Sequence, residues 1–261
     1  MAGIIRTGMA GWIFEDWRKG KFYPDGLKQK EELHFASRHV TAIEINATFY
    51  RNQKRELFEA WAAQTPDDFV FTVKGNQTVT HIKRLKEVAE PVEFFFNSVT
   101  ALGPKLGAVC WQLPPNFKPD LERIETFFKL LPKTIRQAIE VRSKAFATLE
   151  FIDLLRAHNV ALVMADTVDW PWLDQTADFA YGRLQGPPGG DHYDAAGLDQ
   201  WAARAKALAE GKPVAGETIV PAAAKQPPRD VFAYFVSMDK GNAPSNAMAI
   251  QQRLGISPHS D

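Results

Sequence analysis

Cysteine is almost absent from this chain of 261 residues, and its 31 basic and 31 acidic side chains cancel. The single cysteine excludes a disulfide-stapled fold and a cysteine-rich zinc site. Zero net charge disfavours sequence-blind binding of long nucleic acids as the main task. No apolar run approaches the roughly 18 residues of a membrane helix, and the first residues lack the basic start and apolar segment of a signal peptide. We therefore expect a cytoplasmic protein without a membrane partner.

Eight short runs rich in apolar and β-branched residues follow one another along the chain. Several are apolar nearly throughout, which is typical of strands covered on both faces of a parallel sheet. The predicted strands span residues 4–10, 42–49, 69–75, 106–113, 136–142, 160–166, 179–185 and 231–238. Segments with helical spacing lie between them, at 28–39, 56–63, 121–131, 148–158, 198–210 and 243–254.

This alternation of strand and helix predicts an α/β fold, a (β/α)₈ TIM-type barrel. We expect a single domain over residues 1–261, with its core at about 4–254. A doubly wound open sheet is the competing architecture, but it normally has fewer strands.

Polar residues cluster late in the predicted strands, where barrels of this type place their active sites. Glu44 and Asn46 share one face of the second strand, and Glu140 and Arg142 share one face of the fifth, because side chains two apart face the same way. They alternate with Ile and Val, so we expect them to face the barrel interior. The other strands end in Lys74, Gln112, Asp166, Arg183 and Gln185. The sequence therefore predicts one solvent-reachable hollow around these groups.

The connections after the strands add aromatic and basic residues. Trp12 lies in the first connection, Tyr50 in the second and His81 in the third, and four of the seven tryptophans fall in such connections. Aromatic faces beside Arg, Lys and His suit a ligand with a flat or sugar-like part and an anionic part. His81 is expected to serve as a general acid or base or as a hydrogen-bond donor to a phosphate group. Alternatively, it caps a helix.

Motifs along nearly the whole chain form a recognisable set. They are GMAGW at 8–12, FYP at 22–24, EINATFY at 44–50, TH at 80–81, QLPP at 112–115, EVR at 140–142 and YF at 234–235. Together these residues resemble the YecE-like domain-of-unknown-function family (number 72 in that series). The resemblance implies a TIM-type barrel and brings no established reaction.

The chain departs from the usual pattern of that family at three hydrogen-bonding positions. Ser143 stands where a histidine usually follows Glu-x-Arg, and Gln185 stands where a histidine usually closes the seventh strand. Val236 and Ser237 replace an Asn-Asn pair after Tyr-Phe. These changes favour one alternative, a non-catalytic ligand sensor or scaffold with a degenerate site.

The leading hypothesis is an enzyme, of hydrolase or isomerase type, that binds a small phosphorylated or carboxylated molecule at the carboxyl-terminal face of the barrel and acts by acid–base chemistry. Neither a cofactor nor a metal is predicted. Catalytic roles are predicted for Glu140, Glu44 and His81. Ligand-binding roles are predicted for Arg142, Arg183, Lys74, Asn46, Tyr50, Trp12, Gln112, Gln185 and Asp166.

Other interpretations of the same residues remain open at this stage. Glu44 and Glu140 could form a glycosidase pair, or interior ion pairs that only fill the barrel. A single metal ion would recruit both of them with Asp166 and His81. The basic and aromatic rim also fits a nucleic-acid-binding or nuclease-like barrel. Residues 186–190 resemble a phosphate loop only in glycine content, and the sequence leaves the oligomeric state open.

Overall fold

Eight strands close into a barrel in the computed structural model, which describes residues 1–167, 169–186, 193–223, 226–236 and 240–257. The strands are β1 Ile5–Ala10, β2 Ala42–Ile45, β3 Val70–Lys74, β4 Leu106–Gln112, β5 Gln137–Glu140, β6 Val160–Ala165, β7 Phe179–Leu184 and β8 Asp230–Phe235. They pair side by side in chain order, every pair is parallel, and β8 pairs with β1. The predicted α/β TIM-type barrel is confirmed.

Helices surround the barrel. They are α1 Glu32–Ala36, α2 Ala47–Tyr50, α3 Arg55–Ala63, α4 Ala89–Val99, α5 Leu121–Leu130, α6 Leu149–His158, α7 Ala195–Glu210 and α8 Ala243–Leu254. Asp120, Thr148 and Asp194 cap α5, α6 and α7, because each side chain accepts a hydrogen bond from a backbone N–H of the first turn. In the described ranges, no helix is long and apolar enough to cross a membrane.

The helix pattern differs from the predicted one in two connections. Helix α4 was not among the predicted helices. Pro91 lies in its first turn, and a proline is tolerated there because the backbone N–H groups of the first turn have no partner within the helix. Between β6 and β7, the described residues 166–167 and 169–178 form no helix. Thr176 Oγ1 there donates to Val160 O at 2.6 Å and accepts from Leu162 N at 2.8 Å. These side-chain bonds hold the segment in an extended path along β6.

Most strands end earlier than predicted, and two of these ends matter for the site. The second predicted strand ran to residue 49, but β2 ends at Ile45 because the chain turns into α2 directly after Asn46. The fifth ran to residue 142, but β5 ends at Glu140. Asn46 and Arg142 therefore lie just beyond the strand ends, at the rim of the barrel rather than inside it.

The lower part of the barrel interior is filled by apolar and aromatic side chains. Small residues on β2, β4, β5 and β6 leave room for large rings from β7 and β8. Phe179 and Tyr181 pack there on Phe232 and Tyr234, with ring centroids 5.5–6.2 Å apart. Such a filled interior is typical of barrels of this size. The charged groups Glu44, Glu140 and Arg183 lie above this packed layer, near the carboxyl-terminal ends of the strands.

Candidate site at the carboxyl-terminal mouth of the barrel

Three charged side chains from three strands meet inside the upper barrel. Glu44 on β2 and Glu140 on β5 both bind the guanidinium group of Arg183 on β7. Arg183 Nη2 lies 3.0 Å from Glu44 Oε1, and its Nε lies 3.1 Å from Glu44 Oε2. Arg183 Nη1 donates to Glu140 Oε2. One arginine therefore joins two carboxylates from different parts of the barrel, and we name these three residues the buried triad.

The buried triad is shielded from water. Glu44 is 0% exposed, Glu140 2% and Arg183 4%. Burial alone would lower the pKa of Arg183, but the two carboxylates raise it well above its ordinary value. Burial alone would likewise raise the pKa of Glu140, but the guanidinium groups of Arg183 and Arg142 lower it to about 2. Glu140 and Arg183 thus stay ionised at neutral pH, and the interactions of the triad are little screened by solvent.

A hydroxyl chain extends the triad down into the barrel. Tyr181 donates its hydroxyl hydrogen to Glu44 Oε2 at 2.7 Å. Thr72 Oγ1 lies 2.8 Å from the Tyr181 oxygen, so Thr72 is the donor of that pair, because a phenol has one hydrogen. Neither residue is among those predicted from the sequence. Strand parity could have found them, since Tyr181 precedes Arg183 by two positions and Thr72 precedes Lys74 by two.

Arg142 connects the triad to solvent. Its Nε donates to Glu140 Oε1 at 3.0 Å, and 39% of its side chain is exposed. Glu140 therefore orients a second guanidinium group towards the opening. A guanidinium group carries five N–H bonds, and Glu140 engages only the Nε of Arg142. The remaining donors of Arg142 can reach a ligand because this side chain is exposed, whereas Arg183 is buried.

Lys74 ends β3 beside the triad and is half-buried. Its Nζ lies 4.2 Å from the ring centroid of Phe49. Within the described ranges no carboxylate oxygen comes within 4.0 Å of it. Burial has the largest effect on the pKa of Lys74 and lowers it, and the positive charge of Arg183 lowers it further. Among the described residues, the Lys74 ammonium group therefore forms no ion pair, although Glu44 and Glu140 attract it from beyond 4.0 Å.

His81 packs on the same phenylalanine. Its ring meets the Phe49 ring edge-on at 4.9 Å, and its Nδ1 lies 2.8 Å from Thr80 Oγ1. Burial lowers the pKa of His81, and the positive charges of Lys74, Arg142 and Arg84 lower it further. These three neighbouring cations therefore favour the neutral form of the His81 imidazole.

The placement of Phe49 follows from hydrogen bonds between α2 and the end of β3. Thr48 Oγ1 donates to Lys74 O at 2.7 Å, and Asn76 Nδ2 donates to Thr48 O at 2.9 Å. These bonds fix α2 against the strand end. The Phe49 ring is thereby positioned against both Lys74 and His81.

Two other predicted ligand-binding residues have polar atoms without partners. Asn46 Oδ1 and Gln112 Nε2 are buried and form no hydrogen bond in the part of the chain that the structure describes. The Gln112 amide still lies close enough to Glu140 to help lower the pKa of that carboxyl. Buried polar atoms without partners are uncommon and point to an unseen water or ligand.

Tyr50 lies at the rim of the mouth. It is 70% exposed and contacts Phe49 edge-on at 5.1 Å. Two tryptophans from the connections, Trp17 and Trp170, are not available in this way because they are buried.

Trp12 lies outside the barrel. It packs edge-on against Trp61 of α3 at 5.1 Å and against Phe71 at 6.4 Å, in the layer between strands and helices. The structure does not bring it together with the triad, so we leave Trp12 out of the candidate site.

Asp166 holds the connection after β7. Its carboxylate accepts hydrogen bonds from the backbone N–H groups of Gln185 at 2.7 Å and Gly186 at 3.2 Å, and from the Tyr193 hydroxyl. Burial raises its pKa. Gln185 is thus fixed through its backbone. The glycine-rich motif at 186–190 lies, beyond Gly186, outside the described residues.

These contacts contradict two of the predicted roles. Arg183 is engaged by both carboxylates and is not free to hold an anion. Arg183 and Arg142 lower the pKa of the Glu140 carboxyl to about 2, so this carboxyl is not suited to supply a proton at neutral pH. The two carboxylates of the alternative glycosidase pair both bind Arg183. The described residues contain no group of three or more His, Cys, Asp or Glu arranged to hold a metal.

The predicted hollow is therefore divided into two layers. The buried triad lies below, closed to water. Above it lie Lys74, Arg142 and His81, which solvent can reach. The fold and the site together define a TIM-type barrel with a cationic mouth built on buried carboxylates.

Comparison with known proteins places the chain in a family. The family described as "Protein of unknown function DUF72" matches residues 6–260, so the chain belongs to it. UPF0759 protein YecE of Escherichia coli K12 is 32% identical over 144 residues, covering 55% of this chain and 50% of that protein. UPF0759 protein YunF of Bacillus subtilis is 30% identical over 127 residues, covering 46% and 44%. These matches thus span about half the length of each relative.

Solved structures of the family share the fold. A DUF72 protein from Thermotoga maritima superimposes with a TM-score of 0.76 and 25% identity, covering 97% of this chain and 99% of that one. A DUF72 protein from Enterococcus faecalis superimposes with a TM-score of 0.78 and 18% identity, covering 98% and 97%.

Proposed function

We propose that the mouth of the barrel binds a small anionic ligand, a phosphorylated or carboxylated molecule, and acts on it by acid–base chemistry. The observation that carries the proposal is the half-buried Lys74 ammonium group, which has no carboxylate within 4.0 Å among the residues described. A desolvated cation without a counter-ion is unfavourable. An anionic ligand would supply the missing charge.

Arg142 and Lys74 would hold the anionic group of the ligand. Arg142 is suited to this because Glu140 fixes its Nε and leaves its other donors exposed, and a guanidinium fork binds phosphate or carboxylate with two parallel bonds. The Asn46 Oδ1 atom, which has no hydrogen-bond partner among the described residues, and the Gln112 amide would bond the polar part of the ligand. Tyr50 would stack on its neutral part from the rim.

Proton transfer would fall to His81, with Lys74 as the second candidate, because both pKa values are lowered by burial and neighbouring cations. A neutral imidazole near pH 7 can accept a proton and return it, as hydrolysis and isomerisation both require. Glu44 and Glu140 would act at a distance as positioning residues, because they hold Arg183 and Arg142 in place.

Lys74→Met and Arg142→Met are each expected to weaken binding about tenfold or more, because each removes a charge-assisted hydrogen bond. Titration calorimetry with a panel of phosphorylated and carboxylated metabolites, including inorganic phosphate, measures this. Lys133→Met is the control, since Lys133 is exposed and follows α5 at the other end of the barrel. Equal binding by Lys74→Met and the unmodified protein would refute the site.

The same panel separates an enzyme from a sensor. His81→Gln is expected to retain ligand binding and to lose turnover by about a hundredfold or more if His81 transfers the proton. Binding without turnover in the unmodified protein would instead identify a sensor or scaffold. That result would reject the acid–base part of the proposal and retain the anion site.

A further inference from the structure

A second cationic cavity lies far from the mouth, on the outside of the barrel. It has a volume of about 190 Å³ and is open to solvent on one side; residues 173–175, 214–223 and 226–229 contribute to its walls. Its polar lining comes from Arg156, Asp174, Gln175, Thr218, Gln226 and Arg229. Arg229 directly precedes β8 and Arg156 lies in the last turn of α6, so the cavity lies towards the amino-terminal ends of the strands. We name it the Arg229 cavity.

Arg229 is buried there and forms no ion pair with the described residues, although the carboxylate of Asp178 attracts it from beyond 4.0 Å. It is 7% exposed, and its Nε is buried with no hydrogen-bond partner. Its one hydrogen bond within the described ranges runs from Nη1 to Gln175 Oε1 and is long, at 3.4 Å. No carboxylate of the described residues lies within 4.0 Å of it. Proteins rarely bury a guanidinium group unless something pairs with it.

The carboxylate in the lining, that of Asp174, does not form an ion pair with Arg229. Asp174 is 3% exposed, and its two oxygens accept the backbone N–H groups of Ile219 at 2.8 Å and Val220 at 3.0 Å. Its carboxylate therefore fixes the covering segment and makes no ion pair with Arg229. Arg156 adds a second positive charge at the rim, with 42% of its side chain exposed and Asp153 at 3.5 Å. The cavity lining thus has an excess of positive charge.

We propose that the Arg229 cavity binds a small free oxyanion, whose oxygens accept hydrogen bonds from the unused donors of Arg229. A planar guanidinium fork matches the oxygen spacing of phosphate, sulfate and carboxylate. The volume is far above the roughly 10–15 Å³ that a single water molecule needs, so an ion and its waters fit. Bound there, the anion joins β8 to the segment that Asp174 holds, at a site independent of the proposed ligand at the mouth.

The test uses thermal unfolding of the double variant Lys74→Met and Arg142→Met, which lacks both cations of the proposed anion site at the mouth. Inorganic phosphate is compared with chloride at equal ionic strength, and acetate serves as the carboxylate arm. Phosphate is expected to raise Tm. Adding Arg229→Met is expected to raise Tm in chloride, because a desolvated unpaired cation is replaced by an apolar side chain. It is also expected to weaken phosphate binding about tenfold or more.

Two further variants complete the test. Arg204→Met is the matched control, since Arg204 is half-buried but its Nε donates to Ala215 O at 3.1 Å. It is expected to lower Tm in chloride and to keep the phosphate effect. Arg229→Lys, which retains the charge, is expected to keep part of that effect and covers the case in which Arg229→Met folds poorly. An Arg229→Met protein that phosphate stabilises as strongly as its parent would overturn the proposal, as would a parent that phosphate does not stabilise.

Discussion

Arg183→Met is expected to lower the free energy of unfolding by about 3–5 kcal/mol, the usual cost of removing one partner from a buried ion pair. The change leaves Glu44 and Glu140 in the barrel without the cation that joins them. Both carboxylates are almost fully buried, at 0% and 2% exposure, so water cannot replace the lost interaction. Denaturant-induced unfolding at pH 7 measures the effect.

A triple variant provides the control for this prediction. Arg183→Met combined with Glu44→Gln and Glu140→Gln carries no charge in the triad. It is expected to recover a substantial part of the lost stability, because replacing a whole buried ion network is far less costly than leaving it unpaired. If Arg183→Met alone unfolds at the same denaturant concentration as the unmodified protein, the triad is not a buried ion network.

Lowering the pH is expected to reduce the free energy of unfolding by about 3 kcal/mol through protonation of Glu140 alone. Its pKa in the folded protein is about 2, below the value of about 4.3 for an unfolded chain. A carboxyl whose pKa is lower in the folded state than in the unfolded state stabilises the protein at every pH above the unfolded-state pKa. The contribution is therefore complete near neutral pH and is lost as the pH falls from about 5 towards 2.

Glu140→Gln isolates this contribution. The variant is expected to be less stable than the unmodified protein at pH 7 and to lose less stability between pH 5 and pH 3. Denaturant midpoints measured along that pH series give the difference between the two curves. Parallel curves would show that the Glu140 carboxyl titrates at an ordinary pKa and that Arg183 and Arg142 do not hold it.

The barrel was predictable because each strand is nearly continuous in apolar residues, as a strand covered on both faces must be. Strand ends were harder to predict. In EINATFY the alternation of polar and apolar residues continues past residue 45, while the backbone already turns into α2. Connections were harder still, because Thr176 holds the β6–β7 segment through hydrogen bonds that no periodic pattern encodes.

Strand parity brought the charged residues to one end of the barrel, and the structure places Glu44, Glu140, Arg142, Arg183 and Lys74 together there. Parity could not predict which charges pair with one another. Arg183 and Arg142 have the same side chain, but one lies between two buried carboxylates and the other touches one carboxylate at the rim. This difference in depth assigns Arg183 to the framework and leaves Arg142 for a ligand.

Loop residues gave the weakest predictions. Trp12 belongs to the helix layer, because its ring finds Trp61 and Phe71. Asp166 serves the backbone of the following loop. The residues that Trp12 and Asp166 contact lie far from them in the sequence, so no local sequence pattern could reveal these contacts.

A crystal structure of the protein grown with phosphate tests the anion site at the mouth most directly. The account predicts a phosphate ion within hydrogen-bonding distance, about 3.2 Å or less, of both Lys74 Nζ and the guanidinium group of Arg142, with the buried triad unchanged beneath it. An unliganded mouth at saturating phosphate, with Lys74 Nζ paired to Glu44 or Glu140 instead, would contradict it.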